Sequence, residues 1–171
     1  MKKIICLIAL VITNLTYASF MADFRLERRF GVGLGVGGPL SVLGLEVEFN
    51  LSSDVSLVGG IGSGHDYSTF AARGKYFFLG DQVSPYFLLG FARWWSQGTT
   101  QTDVGPAVLK NIFLQGEDPR QGFSVWTVYP GIGVQFIHDS GFSMYAEAHY
   151  LFKMPSFSNG TYAGLGASWF F

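Results

Sequence analysis

The sequence predicts an all-β chain: an eight-stranded antiparallel up-and-down β-barrel that crosses a membrane with its strands. Three observations predict it. The 171 residues are 49% hydrophobic and only 13% charged, too apolar for a disordered chain and unusual for a soluble domain. Turn residues punctuate the chain about every ten to fifteen positions. The segments between them alternate with a period of two over about ten residues. That is longer than the usual soluble strand and suits one tilted across a bilayer.

The punctuation defines the elements. Turn signals stand at Gly37-Gly38-Pro39, Ser52-Ser53-Asp54, Gly62-Ser63-Gly64-His65-Asp66, Gly80-Asp81, His138-Asp139-Ser140-Gly141 and 155–160. A longer polar stretch covers about 97–121. Eight strands are expected, at about 28–37, 42–51, 55–62, 69–79, 85–96, 123–137, 142–152 and 161–171. Within the long stretch, 108–115 could form one or two helical turns.

Ahead of the strands the chain reads as a leader peptide. Lys2 and Lys3 precede an apolar run over 4–12 that is too short to span a bilayer. Tyr17 is then flanked by Thr16 and Ala18, small residues at the spacing of a signal-peptidase site, so cleavage is expected after Ala18. The expected organisation is a leader at 1–18 and one barrel domain at 19–171. The only cysteine, Cys6, lies in the leader, which excludes a disulfide framework and a cysteine metal site. A formal net charge of −1 argues against a nucleic-acid surface.

Alternation assigns faces. In the second strand Leu43, Leu45, Val47, Phe49 and Leu51 oppose Gly44, Glu46, Glu48 and Asn50. In the sixth, Trp126, Val128, Pro130, Ile132 and Val134 oppose Thr127, Tyr129, Gly131, Gly133 and Gln135. In the seventh, Phe142, Met144, Ala146, Ala148 and Tyr150 oppose Ser143, Tyr145, Glu147 and His149. Charges of both signs share the face opposite the aromatics, as an enclosed polar interior requires. Closing the sheet satisfies every backbone group in lipid.

Loop lengths orient the barrel. With an even strand number and a periplasmic start, the connections after strands two, four and six are periplasmic, and all are short. The long 97–121 loop faces outward. Two aromatic girdles follow. Phe30, Phe49, Phe78, Tyr86, Phe136, Phe142, Trp169 and Phe171 are expected near the periplasmic rim, and Phe70, Trp94, Trp126 and Tyr150 near the outer rim.

The last strand, Tyr162-Ala163-Gly164-Leu165-Gly166-Ala167-Ser168-Trp169-Phe170-Phe171, resembles the C-terminal assembly signal of bacterial outer-membrane barrels, with Gly166, Trp169 and Phe171 as its marks. With the leader and eight strands, the chain resembles the small eight-stranded barrels of the OmpA/OmpX type. The resemblance covers about 24–171. It implies the outer membrane as location, export through the periplasm, and insertion by the barrel-assembly machinery. It implies no activity.

An eight-stranded barrel is just wide enough to be filled by side chains. The expected interior network is Glu46, Glu48, Arg73, Lys75, Arg93, Tyr129, Tyr145, Glu147 and His149. Three acids there face three bases beside one histidine, and buried charges persist only when paired. Inward glycines on the first and last strands (Gly31, Gly33, Gly35, Gly37, Gly164, Gly166) leave one wall nearly bare. Phe77, Phe87, Leu89, Phe91 and Trp95 are the bulky groups expected to fill that space. A small acyl pocket or a narrow pore is the alternative use of it.

No catalytic residue, cofactor or metal ligand set is expected. A lipid A-modifying acyl enzyme is the competing class. A lipid A deacylase would need a His-x-Ser pair, but Leu151 stands two after His149. The cluster Ser63, His65, Asp66 and Ser68 is better explained as turn chemistry. A short 20–24 segment ahead of the barrel, and that cluster, give only a thin likeness to a palmitoyltransferase. The expected role is structural or adhesive. Outer-membrane lipid and lipopolysaccharide are the expected partners, with an external protein or host surface at the long loop. That loop carries Asp103, Lys110, Glu117, Asp118 and Arg120 around apolar residues, and could bind or fold over the mouth as a lid. The chain is expected to be monomeric.

Overall fold

The computed structural model describes residues 23–78, 82–98, 105–115 and 117–171. The leader expected over 1–18, the Gly80-Asp81 turn and Asp103 lie outside them. Eight antiparallel strands form one closed barrel: β1 (Phe30–Gly37), β2 (Leu43–Asn50), β3 (Val55–Ser63), β4 (Ser68–Phe77), β5 (Val83–Ser96), β6 (Phe123–Ile137), β7 (Phe142–Met154) and β8 (Asn159–Phe170). Each strand pairs with its sequence neighbour, and β1 pairs with β8 to close the ring. Closure leaves no unpaired sheet edge. Among the described residues no helix is long and apolar enough to cross a membrane.

One end of the barrel carries the β2–β3, β4–β5 and β6–β7 connections, the 23–29 segment that leads into β1, and Phe171. Ser52 tightens the first turn by accepting the N–H groups of Asp54 and Val55 at 3.3 and 3.1 Å. The opposite end carries the connections 38–42, 64–67, 97–122 and 155–158. These are called here the turn end and the loop end. The ladder between β6 and β7 is interrupted at Tyr129 and Pro130. Pro130 has no N–H to donate, so it sits in the sheet where one rung is missing.

Along every strand, buried and exposed residues alternate. The exposed positions are the large apolar ones: Val32, Leu45, Val47, Phe49, Leu57, Ile61, Leu89, Ile132 and Leu165 among them. The buried ones include all the strand acids, Arg73, Lys75 and His149, with small residues and a set of aromatics such as Tyr86, Trp94 and Tyr129. This inverts a soluble barrel and gives the surface that hydrocarbon accepts.

The faces follow the alternation on β2, β4, β6 and β7, but β5 is turned over. Ser84, Tyr86, Leu88, Ala92 and Trp94 are buried in the lumen, whereas Phe87, Leu89 and Phe91 are exposed. Tyr86 and Trp94 therefore belong to the interior and not to the girdles, and Phe87, Leu89, Phe91 and Trp95 do not fill it. Arg93 also faces outward, beside its cross-strand neighbour Trp126. The reason is space. The β5 parity holding Ser84, Gly90 and Ala92 is the compact one, and a barrel of eight strands has little room inside.

Candidate functional site

The lumen is the site that these strands build, and it is filled in three layers. At the turn end, residues 23–27 form a helical segment tucked across the opening. Phe24 packs edge-on against Phe170 at 6.0 Å, with Ile137 completing the cluster. Arg25 is buried; its guanidinium lies 3.5 Å from the Phe77 ring centroid and donates to the Ser53 carbonyl at 3.0 Å. Burial lowers its pKa to about 10, opposed by the nearby Glu48 and Asp54 carboxylates, so it stays charged near neutrality. Asn50 ties the segment to β2 by donating to the Arg28 carbonyl at 2.9 Å.

The middle layer is ionic. Arg73 on β4 reaches Glu46 on β2 at 2.7 Å and Glu147 on β7 at 3.2 Å, and so bridges the lumen. Lys75 pairs with Glu48 at 2.9 Å and lies 3.9 Å from Glu147. His149 Nε2 meets the second Glu147 oxygen at 2.9 Å. Hydroxyls take up the remaining carboxylate valences: Tyr86 donates to Glu147 at 2.7 Å, Ser56 to Glu48 at 2.7 Å, and Tyr145 to Glu46. The Lys75 ammonium also stands 4.8 and 5.0 Å from the Tyr145 and Tyr86 ring centroids. Every charged side chain here is at most 5% exposed.

The structure thus brings together eight of the nine residues expected inside, with Tyr129 packed edge-on to His149 at 5.4 Å. Arg93 is the correction. It lies on the outer wall, so the third cation near these carboxylates is Arg25, which comes from outside the strands. The glycines expected as a bare wall are covered: Gly31 by Phe170, Gly35 and Gly166 by Tyr145, and Gly164 by Gly38 and His149; the same pairing of ring and glycine recurs on other strands. Tyr145 lies across from Gly166, Tyr86 from Gly133 and Tyr129 from Gly90, each ring resting where a glycine leaves room. Trp169 and Phe171, the other marks of the last strand, face outward, whereas Phe170 plugs the turn end.

The upper layer is apolar. The 38–42 connection folds into the barrel, so that Leu40 is buried against β2 and β3. A Cβ at Gly44 or Gly60 would stand 2.8 or 2.9 Å from the Leu40 side chain, so only glycine leaves space there. Ser41, held at φ 67° by this inward bend, shares a hydrogen bond with the Tyr67 hydroxyl. Trp94 is wholly buried at the centre, within 6.1–6.3 Å of the Tyr67, Phe113 and Tyr162 rings.

The long loop closes this layer. The helical turn expected within 108–115 is a π-helical turn over Leu109–Phe113. Val108, Leu109, Phe113 and Leu114 are buried under it, so this part of the loop is a lid on the mouth. Lys153, on the inward side of β7, donates to the Phe113 carbonyl and to Glu117 at 2.8 Å. Replacing Lys153 by Met removes this clasp. Tryptic cleavage after Lys110 should then speed up about fivefold while the barrel stays folded, as read by mass spectrometry of a digestion time course.

Sequence reasoning missed Arg25, Leu40 and Lys153. None lies in a position whose role alternation reports: Arg25 and Leu40 are outside the strands, and Lys153 acts through a loop. The Ser63, His65, Asp66 and Ser68 cluster forms a polar hollow at the loop end. Ser63 donates to the Gly64 and Tyr67 carbonyls, and His65 makes no hydrogen bond to either serine. No nucleophile–base pair is set up there. Among the described residues, no cluster of three or more His, Cys, Asp or Glu could hold a metal.

Fold and lumen together define a small closed barrel with an apolar outer wall and a filled core. The N-terminal β-barrel domain of Pseudomonas aeruginosa OprF has this fold: the two superpose with a TM-score of 0.63 at 16% identity, over 84% of this chain and 98% of that one. Weaker structural likenesses include Ail, the attachment invasion locus protein of Yersinia pestis (TM-score 0.47, 15% identity, 84% and 97% covered), and the outer-membrane enzyme PagL (0.41, 17%, 81% and 97%). No protein-family model and no curated protein matches the sequence.

Proposed function

We propose that the chain is an integral outer-membrane barrel that does not conduct, serving as a scaffold for surface contacts made by its loop end. The observation that carries this is the lumen, occupied from end to end by the Phe24–Arg25 segment, the ion-pair layer and the lid. The apolar outer wall, and the likeness to the OprF barrel, support a bilayer as its solvent. On this reading residues 1–18 direct export through the periplasm. The C-terminal strand is read by the barrel-assembly machinery, and the 97–121 loop faces outward toward lipopolysaccharide, another protein or a host surface. A pore or a lipid A-modifying enzyme would need an open path or a paired nucleophile, and the geometry of the described residues favours neither.

The test is single-channel recording in planar bilayers. The purified protein is expected to give no conductance steps. Removing 105–115 together with Arg25→Ala, which takes away the lid and the buried cation of the turn-end segment, should leave the ionic layer in place and the current still near zero. Regular steps from the wild type would overturn the reading.

A further inference from the structure

Arg93 is the only charged side chain that points outward from any of the eight strands; Glu46, Glu48, Arg73, Lys75, Glu147, His149 and Lys153 all point into the barrel. It sits three residues before the loop end of β5, on the wall that is otherwise apolar. An arginine on such a wall has a large desolvation cost and persists where a counter-charge or water reaches it. Among the described residues its side chain meets no carboxylate. Its guanidinium carbon is 5.4 Å from the ring centroids of both Trp95 and Trp126, and its Nε donates to the Ser124 hydroxyl at 3.1 Å.

These contacts hold the guanidinium beside two indoles by its Cζ and Nε, and its terminal N–H groups have no hydrogen-bond partner among the described residues. Two N–H groups in a plane match two oxygens of a phosphate. Next to Trp95 lies the polar hollow lined by Ser63, His65, Ser68 and Gln97, which suits a sugar and not an acyl chain. Below Arg93 the wall is again apolar, with Phe91 and Leu89 exposed along the same strand face.

We infer that Arg93, held by Trp95, Trp126 and Ser124, binds the phosphate of a phosphorylated glycolipid in the outer leaflet, the acyl chains lying along β5. This deepens the membrane reading above and rests on its orientation, with the loop end outward. The arginine that sequence alone placed in the lumen is then a lipid contact whose counter-charge is supplied by the membrane.

The test is retention of lipid by the full barrel, read by native mass spectrometry after incubation with diphosphoryl lipid A or with its dephosphorylated form. The wild type is expected to retain the phosphorylated lipid about tenfold better. R93Q is expected to lose that preference, with an unchanged folded-to-unfolded gel shift. Equal retention of the two lipids by the wild type, or an unchanged preference in R93Q, overturns the proposal. So does complete displacement by millimolar inorganic phosphate, which would mark a general anion site. Orientation is tested separately: the Q97C variant should react with an impermeant maleimide on intact cells. Failure of that labelling refutes the outward loop end, whereas the lipid result concerns Arg93 itself.

Discussion

Arg73→Ala is expected to destabilise the folded barrel by about 3–5 kcal/mol, a loss visible as an earlier gel-shift transition on heating. Arg73 makes the two short ion pairs across the lumen, to Glu46 on β2 and Glu147 on β7, whereas Lys75 reaches Glu147 only at 3.9 Å. Removing Arg73 leaves two buried carboxylates with fewer partners: Glu46 keeps Tyr145, and Glu147 keeps Tyr86, His149 and a distant Lys75. The cost is that of uncompensated charge, not of the lost attraction itself. Neutralising a carboxylate at the same time should therefore recover part of it. Arg73→Met with Glu147→Gln is expected to be more stable than Arg73→Met alone. If the double variant is as unstable as the sum of its single changes, the layer is not a coupled ion network.

Most of the barrel is legible in the sequence because its walls face two different solvents. On β2 and β7, Leu, Phe and Met at one parity and Glu, Ser and His at the other leave one choice of side. Glu46, Glu48, Glu147 and His149 accordingly lie inside. On β4, Arg73 and Lys75 decide the parity in the same way. The method fails on β5, where both parities are apolar. There the lone charge, Arg93, points to the lumen by analogy with its neighbours, while the small residues Ser84, Gly90 and Ala92 point to the opposite arrangement. Size wins, because a misplaced Phe87, Leu89 and Phe91 would not fit in an eight-stranded lumen, whereas a rim arginine can reach water and headgroups. The plugs are less legible still. Leu40, Phe24 and the 108–114 segment act through tertiary contacts that no strand period encodes. The glycines opposite Leu40 mark only that something must enter.

The inverted face of β5 makes a decisive comparison of two tryptophans. Trp94→Ala is expected to cost about 3–5 kcal/mol, the usual range for emptying a buried Trp site. Trp94 is fully buried and in ring contact with Tyr67, Phe113 and Tyr162, so its loss opens a cavity between the lid and the wall. Trp126, directly across from Arg93 on β6, is 46% exposed on the outer wall, and lipid can fill the space it vacates. Trp126→Ala should therefore cost clearly less than Trp94→Ala, and should leave the lid untouched. Trp94→Ala, by contrast, withdraws the platform on which Phe113 rests, so cleavage after Lys110 should rise with it. The two substitutions remove the same side chain from neighbouring strands. If β5 instead showed its other parity, Trp94 would face lipid, and the order of the two stabilities would approach equality. Acrylamide and lipid-borne quenchers give the same answer by another route. Trp126 emission should be quenched by brominated acyl chains, and Trp94, inside the barrel, should be shielded from them.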